Sequence, residues 1–364
     1  MKAVQVHARQ SGAALLAAML TVTLVATFAA AALWQQWRSV EIETAERARV
    51  QSTWILTGAL DWSRLILRED SRAGGADHLA EPWAVPLNEA RLSAFLAVDK
   101  NASDTEREAF LSGQVVDLQG KLNVNNLIEG NSLSAPALAS FSRLFESLGL
   151  PKEQLLTLAS SLLSAVRDPA PAGAGGTPNP NTASGSTGAT PPSTGTSAPA
   201  PTVNTPTPVT APVATALSPL MPERVEQLAW LGLPRDTLKA LGPYITLLPQ
   251  RTTVNLNTAS AEVIHASTPG LDMTDAQRLV TARERKHFST LADANQQLGS
   301  TEVKFSDAQH AIASRFFEVT GQLRLDQTLV QERSVLQRDN QQVRTLWRER
   351  GVVISPPPAP GGRL

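Results

Sequence analysis

Between residues 10 and 37 the chain carries no charged side chain, and 13–34 is almost wholly apolar. As a helix rising ~1.5 Å per residue, that run is ~33 Å long, enough to cross a ~30 Å hydrocarbon layer. Lys2 and Arg9 precede it and no acid does. Basic flanks stay on the cytoplasmic side, so the short N-terminus is expected inside and the rest of the chain beyond the membrane. The run fits a plain single-pass anchor, a secretory signal peptide cut near Ala29, Ala30 and Ala31, or a leader cut just before the apolar helix. No proline or glycine intervenes from Ala13 until Gly58. Trp34, Trp37, Val40, Ala45, Ala48, Trp54, Leu56, Leu60 and Leu65 recur at roughly helical spacing, with Glu41, Glu43, Arg47 and Arg49 between them. One spine helix is therefore expected over 13–72. A cut near Ala31 would sever it, which argues against the signal peptide.

With 364 residues, 42% of them apolar, two or three domains are expected at ~150 residues each. A net charge of −1 gives no bulk attraction to nucleic acid or acidic lipid. The absence of cysteine removes disulfides, thiolate metal sites and cysteine catalysis together. The five histidines, His7, His78, His265, His287 and His310, are never spaced at i, i+3 or i+4 as a zinc site on a helix would need. There is no G-x-S-x-G, P-loop, H-E-x-x-H or dinucleotide fingerprint, and adjacent acids such as Glu69 and Asp70 read as solvated. The chain is not expected to be an enzyme.

Residues 169–222 contain no charge and no aromatic, and twelve of the 25 prolines fall within 169–219. Such a stretch buries too little apolar surface to offset chain entropy, so 169–219 is expected to be a disordered loop. Short echoes flank it. Leu148-Gly149-Leu150-Pro151 returns as Leu231-Gly232-Leu233-Pro234, and Asn123-Val124-Asn125 as Asn255-Leu256-Asn257. They suggest two related helical modules, each proline opening a helix in its first turn. Thr274, Thr290 and Ser306 head capping-box-like runs, and Ile264, Leu271, Leu279, Val280, Leu291, Leu298, Ala308 and Ile312 are candidates for one core. Near the C-terminus, 316–325, 328–336 and 342–347 are rich in β-formers, Val343, Thr345 and Trp347 alternate with polar partners, and Asp339-Asn340 supplies a turn. Residues 114–118 and 121–124 are expected to add a hairpin around Gly120. Sheet segments thus lie on both sides of a helical block, an α+β arrangement.

The start, Arg9-Gln10-Ser11-Gly12 followed at once by Ala13-Ala14-Leu15-Leu16, resembles a type IV prepilin leader. Together with Gln119-Gly120-Lys121-Leu122-Asn123-Val124-Asn125-Asn126-Leu127 and residues 254–264, it resembles the type II secretion minor pseudopilins K, the general secretion pathway protein K family. The resemblance spans Arg9 to about Arg350. It implies a leader (1–12), a transmembrane and spine helix (13–72) and a pilin-like α+β body (73–125 and 315–350). A large α-helical insert (126–314), SAM-like or helix-hairpin-helix-like, and a disordered tail (351–364) complete the chain. It also implies cleavage by a prepilin peptidase between Gly12 and Ala13, N-methylation of Ala13, and residence in the inner membrane with most of the chain in the periplasm. Implied partners are other minor pseudopilins, joined in a tip complex, and the major pseudopilin. Most pilins carry glutamate at the fifth mature position, where this chain has Ala17. In the family picture that acid pairs with the N-terminal amine of the subunit ahead, so a tip subunit can lack it. Calcium on the pilin body is implied by the family alone, with no ligand set matched among these residues.

A second resemblance points elsewhere. Residues 254–264 followed by Thr268-Pro269-Gly270-Leu271 resemble the helix-hairpin-helix of membrane-anchored competence DNA receptors, whose hairpin amides hold a phosphate. Here Asp272 stands where a second glycine is expected, and Asp275 and Glu284 offset Arg278, Arg283, Arg285 and Lys286. A packing scaffold without nucleic acid is the expectation.

Overall fold

The structure, a computed structural model, describes residues 11–91, 109–167, 219–299, 303–325 and 328–353. Residues 1–10 of the expected leader, 169–218 of the Pro-rich loop and the tail beyond 353 lie outside the described residues. The chain forms two compact units. One comprises Met1–Gln119, His287–Thr290 and Ile312–Leu364, the other Gly120–Lys286 and Leu291–Ala311.

The first unit is a long helix on an antiparallel sheet. Helix α1 runs unbroken over Ser11–Ala73. It stops at Gly74, whose φ of 68° is a left-handed conformation open to glycine and whose N–H donates to the Asp70 carbonyl at 3.1 Å. The sheet has the order β1 (Leu87–Arg91), β2 (Ala109–Asp117), β3 (Phe316–Leu325), β4 (Thr328–Asp339) and β5 (Gln342–Val353), with every neighbouring pair antiparallel. The expected C-terminal meander is present, and its last turn places Asn340 at φ 53°. The expected hairpin around Gly120 is not. Residues 114–117 pair instead with β3, some 200 positions later in the chain, and Leu122–Asn123 joins the other unit. Strand β1 carries no alternating signal, because Asn88 and Glu89 interrupt it.

Ser52, Leu56, Leu60, Ser63 and Leu67 are the buried stripe of α1, at spacings of three and four. Leu60 and Leu67 pack with Trp83, Phe317, Val319, Leu336 and Val343, and Leu56 with Leu111, Leu323, Leu325 and Val330. Trp54 and Leu65, expected on that stripe, lie off it and are exposed. A three-way polar clamp adds to this packing. Arg348 Nε and Arg350 Nη2 each donate to buried Glu332 at 2.5 Å, while their other nitrogens reach Thr57 Oγ1 (2.8 Å) and Thr53 Oγ1 (2.6 Å) on α1.

The second unit is helical: α2 (Ala135–Ser147), α3 (Lys152–Arg167), α4 (Arg235–Leu241), α5 (Ala261–Ser267), α6 (Met273–Arg285) and α7 (Leu291–Gln296). The asparagine echoes occupy matching places. Leu122–Asn123 pairs in parallel with Ile245–Thr246, and Val254–Asn255 with His310–Ala311. In both, the first asparagine's Oδ1 accepts from the amide two residues on, at 3.1 Å in Asn123 and 2.9 Å in Asn255. The second echo matches too. Gly149 and Gly232 share a left-handed φ, each two residues before the proline that precedes α3 or α4. Those prolines stand just outside the helices rather than in their first turn. The expected core is half right: Ile264, Leu271 and Leu279 are buried, Val280, Leu291, Leu298 and Ile312 partly so, and Ala308 is exposed. Asp272, not Thr274, caps α6, and Ser306 heads a turn rather than a helix.

Candidate functional site

The N-terminal stretch of α1 is the most unusual surface on the chain. It is long and apolar enough to cross a membrane, with a mean hydropathy of 2.2, and no other described residue covers it. The large apolar side chains from Leu15 to Trp37 are all more than half exposed. Its hydroxyls are satisfied within the helix, as a nonpolar solvent demands: Thr21 donates to the Ala18 carbonyl, Thr23 to Met19 and Leu20, Thr27 to Leu24. Gly12 and Ala13 lie in the first turns of this helix, and Ala17 one turn further on. Ala17 is exposed and offers no polar group for a neighbouring chain.

At the opposite end of α1 is a cluster of charges. Arg338 of β4, only 8% exposed, donates to Asp70 at 2.5 Å, to both oxygens of Asp77 at 2.5 and 2.7 Å, and to the Ser314 carbonyl. The Ser314 amide donates to Asp77 and its hydroxyl to Asp117, each at 2.6 Å. Glu81 accepts from the His78 amide and from Trp83 Nε1. Burial pushes the Glu81 carboxyl up to about 7. It pushes Asp77 up to about 6, with Arg338 opposing. Asp70 is thus an ion-pair partner with a side chain 13% exposed, not the solvated acid expected beside Glu69. Sequence could not pair Asp70 with a residue 268 positions away.

The helix-hairpin-helix geometry is real: α5, a turn with Gly270 at φ 78°, then α6. Its anion site is taken. The Asp272 carboxylate accepts from the Asp275 amide at 2.7 Å, capping α6 with a negative charge where a phosphate would bind. Arg283, the most buried of the nearby cations, donates to the Leu256 carbonyl.

Two models of the family "Type II secretion system (T2SS), protein K" match residues 120–250 and 254–313, together more than half of the chain. The chain belongs to that family. Its function is that of a minor pseudopilin in type II protein secretion. The type II secretion system protein K of Pseudomonas aeruginosa is 26% identical over 367 residues, covering 97% of this chain and 96% of the relative. That of Pectobacterium carotovorum subsp. carotovorum is 26% identical over 360 residues, covering 95% and 98%. A solved chain from the GspK-GspI-GspJ complex of the enterotoxigenic Escherichia coli type 2 secretion system shares the fold, with a TM-score of 0.54 at 14% identity. The match covers 84% of this chain and 98% of that one.

The calcium implied by resemblance to the protein K family does not fit the acidic group among the described residues. Asp70, Asp77 and Glu81 bring oxygens within 4.8 Å of one another. The cation already there is the Arg338 guanidinium, and a divalent ion beside it would be repelled.

Proposed function

We propose that this subunit ends the pseudopilus: it is a non-catalytic tip cap, anchored in the inner membrane by α1, that helps start assembly of the filament exporting folded proteins across the outer membrane. Ala17 carries this reading. A carboxylate inside a bilayer costs roughly 2.5–3.5 kcal/mol unless it has a partner, and a subunit with no neighbour ahead has no partner to offer it. The uncovered apolar face of the same helix suits lateral packing against other spines. An inserted helical unit of this size also suits a terminal position better than a repeating one. Partners follow the fold likeness: the other minor pseudopilins, by analogy with the GspI and GspJ chains of the solved complex, and the major pseudopilin below them. In this reading a prepilin peptidase cuts between Gly12 and Ala13 and the new N-terminus is methylated.

Mass-spectrometric sequencing of the mature chain, with co-purification against the other minor pseudopilins, tests both parts. A start at Ala13 and a stoichiometric complex support the proposal. A start at Met1 or near Ala32 defeats the processing, and no complex together with normal secretion in a strain lacking the protein defeats the cap.

A further inference from the structure

We propose that a cavity beside α1 is a socket for one aromatic side chain with a polar tip, a tyrosine or tryptophan, carried by the spine helix of a neighbouring minor pseudopilin. This deepens the tip-cap reading and rests on its lateral packing of spines. The cavity holds about 530 Å³ between α1, the 3-10 turn Pro82–Ala84 and the helix-facing side of β2, β3 and β4. Its walls are mainly apolar, among them Ile55, Ala59, Leu111 and Val319. Gly113 and Gly321, side by side in the sheet, keep its floor low. Two polar side chains line it from β4. Glu332 is saturated by Arg348 and Arg350. Ser334 is not: it is 1% exposed, and its Oγ has no hydrogen-bond partner among the described residues. A buried hydroxyl without a partner carries a penalty that an entering donor or acceptor relieves. A wholly apolar occupant would leave that penalty in place. A phenol or indole tip removes it while the ring meets the apolar walls.

The mouth of the cavity indicates what carries the ring. Trp54, Gly58 and Trp62 line it and stand at i, i+4 and i+8, hence on one face of α1. Both tryptophans are more than half exposed, and a Cβ at Gly58 would meet no described atom within 4 Å. The glycine is therefore a notch between two ridges, at the edge of the cavity. An uncharged seam leads up to it. Thr44, Ala48, Gln51, Ile55, Gly58 and Trp62 recur at alternating spacings of four and three. That is the repeat by which one helix receives the side chains of another as knobs in holes. The seam is separate from the stripe of Ser52, Leu56 and Leu60 that is buried against the sheet. A small molecule or a strand would have no use for such a repeat, whereas a second helix laid along it brings a side chain to the notch.

The affinity of the full-length chain in detergent for the other minor pseudopilins, measured by thermophoresis with thermal unfolding alongside, tests the socket. Ser334→Ala keeps the shape of the cavity and removes the hydroxyl. It should weaken binding about tenfold while the melting temperature holds or rises, because an unpaired buried hydroxyl has gone. Gly58→Phe fills the notch from an exposed position and should weaken binding by about tenfold or more. On the partner side, replacing spine tyrosines and tryptophans by phenylalanine should reveal one position whose loss does not add to that of Ser334→Ala. Wild-type affinity in Ser334→Ala or in Gly58→Phe overturns the socket and leaves the cap intact. A lower melting temperature in Ser334→Ala would give the hydroxyl a structural role and overturn the socket likewise. No complex with the wild-type chain removes the cap's partners and the socket together.

Discussion

Leu56 Cδ2 lies 3.2 Å from the point where Gly321, if it had one, would place a Cβ. The spine helix thus descends onto a glycine floor in β3. Gly321 pairs across the sheet with Gly113, whose own Cβ would fall 2.8 Å from the Thr320 carbonyl oxygen. Two glycines side by side let helix and strands approach where any side chain would hold them apart.

Gly321→Val should therefore destabilise the first unit. Overpacking a core typically costs about 1–3 kcal/mol, and the cavity of about 530 Å³ that Leu56 and Gly321 both line holds the cost toward the lower end. Gly321→Ala should cost less, because only a flexible methyl must shift. Thermal unfolding of the detergent-purified protein, followed by near-ultraviolet circular dichroism, would rank the two. Equal melting temperatures for wild type and Gly321→Val would refute the glycine-floor argument.

The Glu332 clamp gives an electrostatic test. Its side chain is 4% exposed, those of Arg348 and Arg350 33% and 28%. Removing one partner of a fully buried pair costs about 3–5 kcal/mol, and partial exposure of the arginines lowers that to about 2 kcal/mol for Glu332→Ala. Glu332→Met, close in volume, should recover part of the loss if cavity formation contributes. The α1 half of the clamp predicts that Thr53→Val and Thr57→Val each weaken the attachment of β5 to the helix, readable as faster exchange in β5 with β3 unaffected.

Much of this was legible in the sequence and some was not, for identifiable reasons. The spine helix was plain because an unbroken apolar run passes, without proline, into apolar residues at roughly helical spacing, and the meander because Val343, Thr345 and Trp347 alternate. The asparagine echoes, two short matches, located equivalent strand ends in the two modules. What failed was long-range pairing. Lys121 to Val124 looked like the second arm of a local hairpin, yet Leu122 and Asn123 bond to Ile245 and Thr246 across more than a hundred residues. Buried charges on strands gave no local signal. Nothing near Glu332 or Arg338 in the sequence marks them as buried, because their partners, Arg350 and Asp77, are revealed only by the fold. At the N-terminal site, Gly12, Ala13 and Ala17 are placed on one helix by the structure, while their processing and tip roles rest on chemistry still to be tested.

His310 predicts an acid weakness in the second unit. It is 1% exposed, contacts Ser267 Oγ, Thr268 Oγ1 and the Ser306 amide, and burial pushes it down from 6.5 to about 4. The folded state keeps the ring neutral while the unfolded state protonates it, so the unfolded chain binds more protons between those values. The stabilisation is present above pH 6.5 and is lost progressively as the pH falls toward 4, by about 3 kcal/mol in all. Denaturant titrations of wild type and His310→Gln across that range should show a steep decline in the first and a shallow one in the second. Parallel curves would assign the acid sensitivity to other groups.

The most discriminating substitution is Ala17→Glu, because the tip reading and an interior position predict opposite signs. In the pilin family picture a glutamate at this position meets the N-terminal amine of the subunit ahead. A subunit inside the filament would gain that ion pair, so Ala17→Glu should leave assembly unchanged or strengthen it. A terminal subunit has no such amine within reach. Its new carboxylate would have to be held in hydrocarbon at roughly 2.5–3.5 kcal/mol, take up a proton, or pull the helix out of register. Each of these lowers the fraction of competent caps, by roughly 60- to 300-fold if the whole penalty falls on insertion. Secretion and pseudopilus length should therefore both fall in a strain carrying Ala17→Glu as its sole copy. Ala17→Gln, which adds the same bulk without charge, should have a much smaller effect. Normal secretion with normal filament length in Ala17→Glu would remove the missing acid from the argument and leave family membership intact. Longer filaments would go further and place the subunit within the filament instead of at its end.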